Sequence, residues 1–142
     1  MIKDAFKSEG KILLKGWVHD TRDLKKVRFI VLKDITGRIQ VTGVDGKTNS
    51  EIFELIDNLK RESAIEVIGE LKKSNQAPGG KELLPTSLKI IAPAEDPLPI
   101  DVSDFSKTEL PIRLDNRFLD FHTKKAQAIF KVQSTIAEAF RE

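Results

Sequence analysis

The sequence predicts a mainly β protein: a five-stranded barrel with one helix between strands three and four, then a hinge and a C-terminal helix. Three observations carry this. Five short segments rich in β-branched and aromatic residues alternate with turn residues. One stretch between the third and fourth of them has the 3.6-residue period of a helix. A run with three prolines then stops regular structure before a second helical period begins.

Residues 11–19 (KILLKGWVH), 27–33 (VRFIVLK) and 38–42 (RIQVT) read as the first three strands. Between the second and third, Asp34-Ile35-Thr36-Gly37 predicts a tight turn and hairpin, with Gly37 taking the positive φ. A polar loop over 45–49 leads into Ile52, Leu55, Ile56 and Leu59, spaced i, i+3, i+4, i+7, which predicts an amphipathic helix over 50–61. Thr48 and Glu51 have the spacing of a capping box, and Lys60 and Arg61 complement the C-terminal dipole. Residues 64–71 (AIEVIGEL) and 83–92 (LLPTSLKIIA) predict two more strands around a loop over 72–80 (KKSNQAPGG). Three strands, a helix and two strands is the order of an OB-fold. The prolines of 93–99 (PAEDPLP) mark a hinge. Beyond it, Ala126, Ile129, Phe130, Ile136, Ala137 and Phe140 keep a helical period to Glu142 with no C-cap signal. The expected organisation is a barrel over 1–93, a hinge or linker over 94–122, and a helix over 123–142 cut short at the start of a further domain.

With 142 residues, 39% of them hydrophobic and a net charge of only +2, the chain has enough apolar surface for one core. No apolar run approaches the roughly 20 residues that span a bilayer, and the N-terminus lacks the apolar core of a signal peptide. A soluble, cytoplasmic protein without a membrane partner is expected. There is no Cys, and the two histidines, His19 and His122, are too far apart for a local ligand pair; thiol nucleophiles, disulfides and zinc ribbons are excluded, and no metal site is expected. The charge is uneven. Residues 1–40 carry ten Lys/Arg against five Asp/Glu, residues 41–98 seven against ten, and residues 99–142 seven of each. A basic N-terminal field attracts a polyanion, although surpluses of this size also occur on surfaces that bind nothing.

Strand alternation sorts the side chains. Ile12, Leu14 and Val18 point to the core, and Lys11, Leu13, Lys15, Trp17 and His19 away from it, unless a bulge at Gly16 swaps Trp17 and Val18. In the hairpin, Ile30, Leu32, Ile39 and Val41 form core, leaving Val27, Phe29, Val31, Lys33, Arg38, Gln40 and Thr42 outside. An outward aromatic ring with an amide and cations is the combination that stacks unpaired bases and neutralises phosphates. Each residue also has a plainer role: Phe29 as surface packing, Gln40 as a solvated strand residue, Arg22 and Asp23 paired in the first loop, and His19 as an ordinary strand end. Nothing beside His19 makes it a general base, Gly79-Gly80 is too short for a phosphate cradle, and no G-x-x-x-x-G-K-[ST] occurs.

Gly16-Trp17-Val18-His19, Arg22-Asp23-Leu24, the run from Arg28-Phe29 to Asp34, and Ile39-Gln40-Val41 together resemble the anticodon-binding domain of archaeal and eukaryotic-type aspartyl-tRNA synthetases. Residues 96–101 (DPLPID) resemble the hinge of that family. The run from Arg113 to Asp120 (RLDNRFLD), followed by Gln127-Ala128-Ile129-Phe130, resembles its entry into the catalytic domain. The resemblance covers almost the whole chain. It implies that Phe29 stacks on the central anticodon uridine, that Gln40 and Arg22 bond anticodon bases or phosphates, and that Glu82 reads the third base. It further implies that His19 and Pro78, where strictly discriminating members tend to carry Trp and Lys, go with the nondiscriminating members that act on both tRNA(Asp) and tRNA(Asn). The sequence departs from the family at Lys25-Lys26, where two glycines are usual, and at Phe121-His122, where Leu-Arg is usual.

By the same resemblance the full-length parent attaches aspartate to tRNA through an aspartyl-adenylate, using ATP and Mg, and dimerises through its catalytic domain. This chain is expected to hold no catalytic residue and no cofactor. A free-standing OB protein that binds single-stranded nucleic acid, or a protein-interaction module acting through the C-terminal helix, are the alternatives.

Overall fold

The computed structural model describes residues 1–103, 105 and 107–141, and the chain divides into two compact units, Met1–Asp96 and Pro97–Glu142. Asp104, Ser106 and Glu142, which the sequence assigns to the linker and the last helix, lie outside the described residues.

The first unit begins with a single helical turn, α1 (Ile2–Ala5), which the sequence did not announce. Five strands follow: β1 (Gly10–Asp23), β2 (Val27–Lys33), β3 (Arg38–Val44), β4 (Ala64–Lys73) and β5 (Lys81–Ala92). They close into a barrel in the order β1-β2-β3-β5-β4, with α2 (Ser50–Asp57) between β3 and β4. All pairings are antiparallel except β3 with β5. This is the expected OB-fold. Leu14, Val18, Ile30, Leu32, Ile39, Val41, Ile65, Val67 and Leu83 fill the interior, as the alternation in β1 to β4 requires.

The two ends of the β2–β3 hairpin are closed differently. At its turn, Ile2 of α1 is fully buried and donates its N–H to Asp34 Oδ2 at 2.7 Å. The other Asp34 oxygen accepts from the N–H and hydroxyl of Thr36 and from the Gly37 N–H, at 2.6, 2.6 and 3.0 Å. This carboxylate, and not a positive φ at Gly37, shapes the turn; Gly37 is not among the positive-φ glycines. Partial burial alone would raise the Asp34 pKa, but the hydrogen bonds from Ile2, Thr36 and Gly37 outweigh it and hold the carboxyl below its usual value. A depressed folded-state pKa contributes stability that is complete above the unfolded value near 4 and is lost as pH falls through the folded one. Asp34→Ala is therefore expected to cost about 2 kcal/mol at pH 7 and to flatten the acid limb of a urea-stability profile below pH 4. A wild-type acid limb in the variant would contradict this.

At the other end, Ile56 of α2 and the following Leu59 are buried against the barrel. The helix stops at Asp57, four residues short of the expected end, because Asn58 caps it with its N–H on the Leu55 and Ile56 carbonyls. Lys60 and Arg61 thus lie beyond the last turn, and Arg61 pairs with Asp20 at 2.6 Å. Nor does Thr48 cap the helix. Asn49 accepts from the Glu51 N–H, while the Thr48 hydroxyl accepts from Val44 N–H.

Two residues expected outside are buried. Lys33 is only 6% exposed because its ammonium meets the Glu62 carboxylate at 3.1 Å, and Glu62 is itself buried. Thr42 is the second. Gly16 hosts no bulge; the β1–β2 register shifts two residues further on, between Val18 and Asp20. What Gly16 provides is proximity, since a Cβ there would lie 2.5 Å from the Lys33 carbonyl oxygen.

In the second unit, part of the expected linker is helical: α3 (Leu110–Asp115) and α4 (Arg117–Asp120) precede α5 (Lys124–Ala139). Ile100, Val102 and Leu119 form a small core. The fully buried Asp120 accepts from Arg113 Nε at 2.7 Å and from Arg117 Nη1, so Arg113, Arg117 and Asp120 of the RLDNRFLD run close on one another. The Thr123 hydroxyl caps α5 by accepting from the Ala126 N–H. Ile129, Phe130, Val132 and Ile136 leave an exposed apolar stripe along α5. Among the described residues no helix is long and apolar enough to cross a membrane.

Candidate nucleic-acid interface

The register shift in β1 determines which side chains meet. Val18 pairs with Leu32 and Asp20 with Val31, so His19 is the extra residue of a bulge in the β1–β2 ladder. Before it, even-numbered residues of β1 face the core. After it, Thr21 stands beside the core residue Ile30, while Arg22 lies opposite Phe29. A regular strand would have turned Arg22 inward; the bulge brings it to the outside.

Two rows of paired residues then cross the outer face. One runs Arg22, Phe29, Thr42 over β1, β2 and β3. The other runs Asp20, Val31, Gln40, Glu82 and reaches the start of β5 through the parallel β3–β5 pairing. Arg22, Phe29, Gln40 and Glu82, selected from separate segments of the sequence, are therefore neighbours on one surface. The Phe29 ring is partly exposed between them. Arg22 is open to solvent at 73% side-chain exposure and is held only loosely by Asp20 at 3.8 Å, which leaves its guanidinium available to an anion. It does not pair with Asp23, whose carboxylate accepts from Lys25 N–H and faces Arg28.

Beneath this surface lies a hydrogen-bonded chain. Gln40 Nε2 donates to Thr42 Oγ1 at 3.3 Å, and the Thr42 hydroxyl donates to Glu82 Oε2 at 2.6 Å. Gln40 Nε2 is also 3.5 Å from the same carboxylate oxygen. Thr42 is 5% exposed, with its hydroxyl turned onto the Glu82 carboxylate. Alternation put Thr42 on the right face; its tie to Glu82, forty residues away, had no local signal.

His19 and Pro78 adjoin, along the chain, the first and last residues of the second row. His19 sits in the β1 bulge, next to Asp20, and Pro78 in the β4–β5 loop, four positions before Glu82. That loop is set from below, since the Phe6 ring lies 2.7 Å from where a Cβ on Gly79 would be. In the first loop, Lys25 adopts φ 65°, the left-handed conformation in which a glycine is at home, and the Asp23 carboxylate steadies it. Among the described residues no group of three or more His, Cys, Asp or Glu is placed to hold a metal ion.

A closed barrel with an aromatic ring, a cation and amide and carboxylate groups gathered over β1, β2, β3 and β5 defines an OB-fold nucleic-acid-binding protein. The tRNA anti-codon family, described as an OB-fold nucleic acid binding domain, matches residues 12–91. The chain belongs to this family and is a tRNA anticodon-binding domain. It is similar to the aspartate–tRNA(Asp/Asn) ligases of Methanocorpusculum labreanum, 40% identical over 99% of this chain and 33% of that protein, and Methanospirillum hungatei, 43% identical over 89% and 29%. Among solved structures it resembles asparaginyl-tRNA synthetase from Pyrococcus horikoshii complexed with asparaginyl-adenylate (TM-score 0.84, 33% identity, 95% of this chain and 31% of that one). A putative aspartyl-tRNA synthetase from Leishmania major is similar too (TM-score 0.83, 27% identity, 92% and 28%). The chain spans about a third of the length of these relatives.

Proposed function

We propose that this chain reads the anticodons of tRNA(Asp) and tRNA(Asn) as part of a nondiscriminating aspartate–tRNA ligase. The observation that carries the reading is the strand register that gathers Arg22, Phe29, Gln40 and Glu82 on one face. Phe29 stacks on the central base, Gln40 bonds its edge, Arg22 neutralises a phosphate or bonds a base, and Glu82 addresses the third base. Pro78 presents no donor and His19 leaves the end of the row without a large indole, so neither enforces cytosine over uracil at that third position. The full-length enzyme is a cytoplasmic homodimer that forms aspartyl-adenylate from ATP and aspartate in a part lying beyond these residues.

Direct titration with anticodon stem-loops bearing GUC, GUU and an unrelated triplet, at two salt concentrations, tests this. Similar affinities for GUC and GUU, with the control at least about tenfold weaker, are expected. Equal affinity for all three, falling steeply with salt, would instead make the chain a sequence-tolerant single-strand binder; no binding at all would make the face idle.

A further inference from the structure

The hydrogen-bonded chain under the binding face has only one consistent polarity. An ionised carboxylate accepts and cannot donate. With Thr42 Oγ1 at 2.6 Å from Glu82 Oε2, the hydroxyl proton must lie toward Glu82. The Thr42 oxygen is then an acceptor toward Gln40, whose amide nitrogen lies 3.3 Å away and also faces Glu82 at 3.5 Å. Both inward contacts are thus made by the nitrogen of Gln40, and the amide is left with its carbonyl oxygen for a ligand. The network settles which end of the amide faces inward.

We propose that Thr42 is a positioning residue for base specificity: with Glu82 behind it, it fixes the orientation of the Gln40 amide so that the face offers an acceptor beside the Phe29 ring. The base class this selects is a ring imide, as in uracil, whose N3–H donates. Cytosine presents a bare N3 acceptor at the same place and is disfavoured. Thr42 touches no base itself. This assignment rests on the reading of the face as an anticodon site and adds to it the source of its preference at the stacked base.

The test uses the full chain and stem-loops that differ only in the middle base, GUC and GCC. The wild type is expected to prefer GUC by about tenfold, the scale of one base-edge hydrogen bond. Thr42→Val keeps the shape but removes the relay, and should bring the ratio to within about threefold of unity, while Thr42→Ser restores it. A folded Thr42→Val with the wild-type ratio overturns the proposal. Should Thr42→Val fail to fold, Glu82→Gln serves instead: its amide can donate to Thr42, which lets the chain reverse, and the same loss is expected; an intact ratio there overturns the proposal equally. If the wild type binds GUC well but shows no middle-base preference, this inference falls and the anticodon reading stands. If it binds neither stem-loop, both fall.

Discussion

Phe29→Ala is expected to weaken binding of a GUC stem-loop by about tenfold or more, with little change in melting temperature. Stacking of a base on an aromatic side chain contributes about 1 to 3 kcal/mol, and each 1.4 kcal/mol is a factor of ten. The ring is not part of the buried core, whose β2 members are Ile30 and Leu32, so its loss leaves the barrel packing intact. Phe29→Leu separates two explanations. It retains much of the apolar area and loses the π face, so an affinity close to that of Phe29→Ala assigns the effect to stacking, whereas recovery toward wild type assigns it to packing against Val31 and Thr42. Unchanged affinity in a folded Phe29→Ala protein would remove Phe29 from the interface.

The largest effect on stability is expected at Glu62. Its carboxylate and the Lys33 ammonium are 3.1 Å apart with side chains 2% and 8% exposed. Removing one member of such a pair takes a counter-charge away from the other inside the protein, which typically costs about 3 to 5 kcal/mol. Against total stabilities of roughly 5 to 15 kcal/mol, Glu62→Ala would leave the chain marginal. Urea unfolding followed by circular dichroism reads the loss directly. Because the cost arises from the remaining buried charge more than from a lost attraction, Glu62→Leu combined with Lys33→Met is expected to recover much of it. A loss below about 1 kcal/mol in Glu62→Ala would contradict this.

What the sequence revealed was whatever depends on near neighbours. The alternation that placed Ile30, Leu32, Ile39 and Val41 inside is a property of consecutive residues, and it held. What escaped depends on partners far along the chain. Lys33 and Thr42 look solvent-facing until Glu62 and Glu82 arrive beside them. Helix α1 is four residues long and is fastened by a carboxylate thirty-two positions away. The helices α3 and α4 depend on Asp120 drawing Arg113 and Arg117 together, which no period announces. At the site, Phe29 and Gln40 could be paired by strand alternation alone. Arg22 could not, because the extra residue at His19 has no signature of its own and inverts every orientation after it.

That inversion makes the β1 bulge a parity switch. Upstream of it even positions are interior, and downstream odd ones are. Removal of the extra residue alone would leave Asp20, Thr21 and Arg22 opposite Val31, Ile30 and Phe29 on a regular ladder, so Arg22 would keep its outward face and the bend of the bulge would be lost. What the inserted residue allows is a β1 whose two halves follow opposite parities while both stay in register with their neighbours: the upstream half can be matched to β4 and the downstream half to β2 independently of each other.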